Sequence, residues 1–270
     1  MRPVALFALL VALVAPVASA ADGALRMLET SEQNRGWEAV GRLELGGRGF
    51  CTGALIAPDL VLTAAHCLYD RETGARIEVT DIEFLAGWRN GRAEAYRQVR
   101  RAVAHPNYRF QTETSASRVR DDVALLELHH PIRNTGVIPF RTGEHPLPGA
   151  RIGVVSYARD RAEAPSLQEV CGVRARQYGV LVMDCEVDFG ASGAPVFSFD
   201  AGEPRIVSVV SAKAEYGGAK VALGTALAEP LALLQAEMAS ARMDLDLRLV
   251  PSMGADGATR PPAGAKFVRP

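Results

Sequence analysis

From Glu38 onward the chain reads as short apolar runs broken by Gly, Pro and Asp. Val40-Gly41-Arg42-Leu43-Glu44-Leu45 alternates apolar and polar positions, the pattern of a half-buried strand. Ala54–Ile56 and Leu60–Thr63 flank Pro58-Asp59, which predicts a hairpin. Ile82–Ala86 and Arg97–Val103 read as further strands. Val123–Leu128 reads as a short buried strand that stops before His129-His130-Pro131. Residues 132–148 carry Gly and Pro without a strong period, as a linker does. A second strand series follows at Arg151–Tyr157, Leu167–Val173, Tyr178–Cys185, Pro195–Ser198, Ile206–Ala212 and Val221–Thr225. The period then changes. Pro230 suits a first helical position, and Leu231, Leu234, Gln235 and Met238 share one helical stripe. Asp244–Val250 alternates again and would add one strand, and the remainder of the chain is a Gly/Pro-rich tail expected to be disordered. Many short strands between regular turns predict an all-β sandwich or barrel.

Composition narrows this little. The 270 residues, 48% hydrophobic, suffice for one large β domain or two small barrels. A net charge of −1 and the lack of a basic stripe imply no strong polyelectrolyte partner, so no nucleic acid is expected. The N-terminus adds more. Met1-Arg2, the apolar run Pro3–Ala15 and the small-residue site Ala18-Ser19-Ala20 form a secretory signal, which predicts residues 1–20 removed and a mature start at Ala21. The run is too short to span a bilayer, so no membrane anchor is expected and the protein should be secreted or periplasmic. Residues 21–35 are polar and unpatterned, a flexible lead-in or short propeptide. Four cysteines fit an exported protein with two disulfides, in any of three pairings.

The chemistry concentrates in Gly190-Ala191-Ser192-Gly193-Ala194-Pro195. Glycines on both sides of a serine let backbone N–H groups converge on one spot, as an oxyanion hole requires. Serine needs a base of pKa near 7, and that base needs a carboxylate to hold its tautomer. Thr63-Ala64-Ala65-His66-Cys67 supplies the histidine, and Asp121-Asp122-Val123-Ala124-Leu125-Leu126 supplies the acid. Asp122 is the choice of the two aspartates: it abuts the apolar run, and adjacent strand residues face opposite ways, leaving Asp121 the exposed flank. Taken singly, each residue has a bland reading as a core histidine, a turn acid or a turn serine. The order His66, Asp122, Ser192 and the matched flanks carry the assignment.

These motifs resemble those of trypsin/chymotrypsin-fold serine proteases. The likeness includes Cys51-Thr52-Gly53-Ala54-Leu55-Ile56 and His105-Pro106-Asn107-Tyr108, and it runs from about Trp37 to Leu227. It implies two packed six-stranded antiparallel β-barrels with a C-terminal helix. The first barrel would occupy residues 36–133, a linker 134–148, the second barrel 149–228, the helix 229–242 and the tail 243–270. It implies disulfides Cys51–Cys67 and Cys171–Cys185. It also implies a monomeric endopeptidase acting on protein or peptide through His66, Asp122 and Ser192. The backbone N–H groups of Gly190 and Ser192 would form the oxyanion hole, and no metal or organic cofactor is called for. Two departures stand out. Ala191 replaces the family's usual Asp, and no Ile-Val-Gly-Gly start is present, so an ion-pair activation switch is not expected. With Cys185 seven residues before the serine, the chain is nearer the bacterial glutamyl-endopeptidase-like branch than trypsin. Lys213 stands where glycine is usual and would obstruct or charge the pocket mouth. Ser211 stands where the family keeps a serine beside the buried aspartate, or it is an ordinary strand-end serine. Glu186 is either a specificity acid or a solvated loop acid. His105, His129, His130 and His145 receive no role. The rival readings are a catalytically silent homologue that binds protein or peptide in the same cleft, and an esterase.

Overall fold

The computed structural model describes residues 23–249 except 145 and 201, with side chains as far as 242. The signal segment 1–20, the start at Ala21, His145 and residues 250–270 lie outside the described residues. The chain begins with β1 (Arg26–Met27), which pairs antiparallel with a long strand of the second barrel, Arg26 opposite Leu167 and Met27 opposite Ser166. Leu28 follows, fully buried, its N–H donating to Pro165 O at 2.8 Å. The expected flexible lead-in is therefore a docked segment. Nothing in its own pattern signals this, because a two-residue strand takes its pairing from a partner far along the chain.

The first barrel comprises β2 (Val40–Leu45), β3 (Phe50–Ala57), β4 (Leu60–Thr63), β5 (Ile82–Ala86), β6 (Ala95–Ala104) and β7 (Ala124–Leu128). The strands close in the order β2-β3-β4-β7-β6-β5. The short helix α1 (Ala116–Arg120) enters β7, and Ser115 caps it by accepting from Arg118 N at 3.2 Å. Alternation in β2 predicts the burial of Leu43 and Leu45 against the less buried Arg42 and Glu44; Val40, on the Arg42–Glu44 face by period two, is buried as well.

The linker is not loose. It contributes β8 (Arg141–Thr142), which runs parallel to a strand of the second barrel. Phe140 lies in a cluster with Trp37 and Phe197, ring centroids 4.8–5.9 Å apart, sealing the two barrels together. The second barrel comprises β9 (Arg151–Ala158), β10 (Arg161–Gln177), β11 (Val180–Met183), β12 (Pro195–Ser198), β13 (Arg205–Tyr216) and β14 (Ala219–Ala226). They pair as β10-β11-β14-β13-β12-β9, and β9 returns to β10 to close the ring. The fold is thus two six-stranded antiparallel barrels, as the resemblance to trypsin/chymotrypsin-fold proteases implies. Cys51–Cys67 and Cys171–Cys185 are both formed, at sequence separations of 16 and 14. Loops of this length contribute about 3 kcal/mol each in the chain-entropy picture.

Helix α2 (Ala228–Leu249) leaves the second barrel and docks on the first. Leu231, Leu234 and Met238 are buried, as the stripe predicts, while Gln235 is not. The helix runs through Leu249, beyond the expected end at 242, so Asp244–Leu249 is helical rather than a strand. A brief period-2 pattern does not stop an established helix rich in Leu, Met and Arg. Arg242 Nε stands 2.7 Å from Oε1 of Glu127, a β7 residue only 4% exposed, and its Nη2 donates to Asp59 at 3.0 Å. Replacing Arg242 by alanine would leave a buried carboxylate with only Arg101 at 3.7 Å. The expected loss is about 2–3 kcal/mol, read as a lower urea midpoint, and Glu127→Gln in the same background should recover part of it.

Candidate active site

Register brings the site together. Thr63 of β4 pairs with Ala124 of β7, so the chain just past Thr63 and the chain just before Ala124 emerge side by side. The first carries His66 in the 3₁₀ turn Ala65–Leu68, tied to β3 by Cys51–Cys67. The second carries Asp122. Asp122 is fully buried and accepts three hydrogen bonds. Its Oδ1 takes the His66 backbone N–H at 2.8 Å, and its Oδ2 stands 2.7 Å from His66 Nδ1 and accepts Ser211 Oγ–H at 2.5 Å. Burial raises the carboxyl pKa, but the attraction of His66 and the hydrogen bonds from His66 and Ser211 outweigh it, so Asp122 is held below the usual carboxylate range. An ionised Asp122 is acceptor-only, so Nδ1 of His66 carries a proton and Nε2 is left as the ring's acceptor. Asp121 is buried as well, contrary to the expected exposed flank. It is held in a bidentate pair with Arg120 at 2.7 and 2.8 Å, with His105 Nδ1 at 3.8 Å.

The serine turn is clamped between the barrels. Thr52 N–H donates to Ser192 O at 2.8 Å, and Thr52 Oγ–H donates to Gly190 O at 2.9 Å. Gly193 N–H donates to Val210 O at 2.8 Å. Gly193 has φ +78°, and a Cβ there would run into Thr63 Oγ1 and Thr52 O, so only glycine fits. The backbone N–H groups of Gly190 and Ser192 have no acceptor among the described residues. His66, Ser192, Ser211 and Lys213 line one cavity of about 320 Å³.

The other sequence candidates separate. Ser211 serves Asp122 as well as the cavity wall. Lys213 lies at the cavity, but its Nζ is paired with Asp188 Oδ1 at 2.7 Å and sits 4.4 Å over the Phe189 ring, so its charge is answered locally. Lys213 holds the Asp188 carboxyl below its ordinary range. Glu186 is exposed and lines a neighbouring groove with Asp184 and Glu215, not the cavity beside Ser192. Sequence reasoning passed over Asp188, Phe189, Arg71 and Arg159. Arg71 Nη2 donates to Ser192 Oγ at 3.2 Å. Arg71 follows the histidine motif and Asp188-Phe189 abut the serine turn, but nothing local said that they meet Arg159.

The sequence model of the trypsin family, described as Trypsin, matches residues 28–222. The chain belongs to the trypsin family. Among the relatives of this trypsin-family chain, mast cell protease 3 of Ovis aries is 30% identical over 216 residues, covering 71% of this chain and 81% of that protein. Glutamyl endopeptidase of Bacillus licheniformis is 25% identical over 182 residues, covering 66% of this chain and 55% of the relative. Serine protease 23 of Mus musculus is 31% identical over 166 residues, covering 54% and 42%. The chain thus spans about half the length of the latter two. A solved Glu endopeptidase superposes with TM-score 0.65 at 19% identity, covering 83% of this chain and 98% of that one; it shows the shared fold. No described helix is long and apolar enough to cross a membrane.

Proposed function

We propose that this trypsin-family chain is an exported serine endopeptidase that cleaves peptide bonds through an acyl-enzyme on Ser192. The single observation that carries the reading is the buried Asp122–His66 pair opening onto the cavity that also holds Ser192. Ser192 Oγ attacks the scissile carbonyl while His66 Nε2 accepts its proton. Asp122 keeps Nδ1 protonated and stabilises the imidazolium. The N–H groups of Gly190 and Ser192 receive the oxyanion, each contributing about 3–4 kcal/mol of transition-state stabilisation in comparable sites. His66 then protonates the leaving amine, and water repeats the sequence on the acyl-enzyme.

Substrate has a place to lie. β12 covers β13 only through Val209, whereas β14 pairs with β13 as far as Tyr216. The edge of Ser211–Lys213 toward the cavity is therefore open, and the acyl half of a peptide can add there as an extra strand. An N-terminal ion pair is not needed to shape the turn. Ala191 is fully buried, its N–H donates to Asp188 O at 2.9 Å, and Thr52 holds both flanking carbonyls. The two disulfides fit an oxidising, extracytoplasmic location.

One observation favours the second reading, a silent homologue that binds peptides: Arg71 already donates to Ser192 Oγ. A fluorophosphonate probe separates the two. The folded protein is expected to label at Ser192 and the Ser192→Ala variant is not. Absent labelling, or labelling unchanged in the variant, would overturn the nucleophile assignment.

A further inference from the structure

Beside Ser192, across from the open edge of β13, lies a second groove walled by Phe50, the Cys51–Cys67 disulfide, Phe189, Arg71 and Arg159. Arg48, at its far end, is answered by Asp70 at 3.2 Å and Asp81 at 3.6 Å. Arg71 and Arg159 are not: neither is paired with a carboxylate among the described residues. Both guanidinium groups instead stack toward the half-exposed Phe189 ring, Cζ 5.7 and 5.4 Å from its centroid. Burial above all, and then the nearby charges of Arg159 and Arg118, lower the Arg71 pKa from its ordinary value. Asp122, whose charge acts on Arg71, is already committed to His66 and Ser211, and Asp70, in the same groove, is committed to Arg48 at 3.2 Å. Two unanswered cations on an aromatic platform, next to the reacting serine, make a receptor for a carboxylate.

We infer that this groove binds an acidic side chain of the substrate's leaving half, just beyond the scissile bond, through Arg71 and Arg159. The inference rests on the endopeptidase reading, which lays the acyl half along β13 and sends the other half past His66 into this groove. It also gives the Arg71–Ser192 contact a role. In the free protein the guanidinium rests on Oγ; a substrate carboxylate draws it away and frees the hydroxyl for His66. An acidic residue on this side should therefore raise kcat as well as lower KM.

The test uses quenched-fluorescence peptides that differ only in Glu or Gln at the first or second position past the scissile bond, with amidated C-termini. A third peptide carries Gln there and a free C-terminal carboxylate. The wild-type protein is expected to cleave the Glu peptide at least about tenfold better in kcat/KM, the scale of one charge-assisted contact. The preference should shrink in high salt. It should fall toward one in Arg71→Gln and further in Arg71→Gln/Arg159→Gln. Fluorophosphonate labelling of every variant reports whether the fold and nucleophile survive. Labelling with no Glu preference in the wild-type protein, or a preference that persists in the double variant, would overturn the subsite alone. A free C-terminus favoured over the Glu side chain would overturn it too. No labelling of the wild-type protein would overturn the endopeptidase reading and the subsite with it.

Discussion

Ser192→Ala is expected to lower kcat on a cleavable peptide by about a million-fold, the scale on which removing the nucleophile of a serine–histidine–aspartate unit acts. KM should change far less, because the open edge of β13 and the cavity walls do not depend on the hydroxyl. Folding should be undisturbed. The clamp on the turn uses the backbone carbonyls of Gly190 and Ser192 and the N–H of Gly193, and alanine keeps all three. The residual rate reports what the N–H groups of Gly190 and Ser192 do without a covalent intermediate. The measurement is steady-state cleavage by variant and wild-type protein of equal melting temperature. A loss of less than about a hundredfold would show that the hydrolysis measured does not pass through Ser192.

Asp122→Asn is the second large effect, a loss of about 10⁴ in kcat at neutral pH. The asparagine amide is nearly the shape of the carboxylate, but it presents donors where Asp122 presents only acceptors. His66 would then be held in the wrong tautomer, its protonated nitrogen toward the serine, and Ser211 Oγ–H would lose a charged acceptor. The same group links stability to pH. Its folded pKa is depressed, so its contribution is present above the unfolded carboxylate value of about 4 and is lost as pH falls through the folded value. Melting temperatures followed from pH 6 to pH 2 should show the gap between wild type and Asp122→Asn widest at the upper end and closing below about pH 4. A gap that widens on acidification would contradict the ionised, hydrogen-bonded Asp122.

Much of the architecture was legible along the chain because its signals are local. Alternation located β2, Pro58-Asp59 located the β3–β4 hairpin, and Leu231, Leu234 and Met238 located the docking face of α2. What failed to register was non-local. β1 depends on β10, and its two residues have no period to read. Phe140 turns an apparent linker into the seam between barrels, through partners on two other segments. Asp121 reads as exposed because a chain position does not reveal that Arg120 and His105 close over it.

The site divides the same way. Residue types, order and flanking motifs alone singled out His66, Asp122 and Ser192, because a serine nucleophile requires a base and an orienting acid, and few segments could supply them. The Gly-rich turn around Ser192 was equally readable, since positive φ and close approach require glycine. Only the tertiary structure decided what surrounds those residues. It set Glu186 in a separate groove, answered Lys213 with Asp188, and brought Arg71 and Arg159 to one ring beside Ser192. Chemistry that depends on residue identity can be read in one dimension. Charge balance cannot, because whether an arginine is answered depends on distances between segments that only closing the two barrels brings within reach.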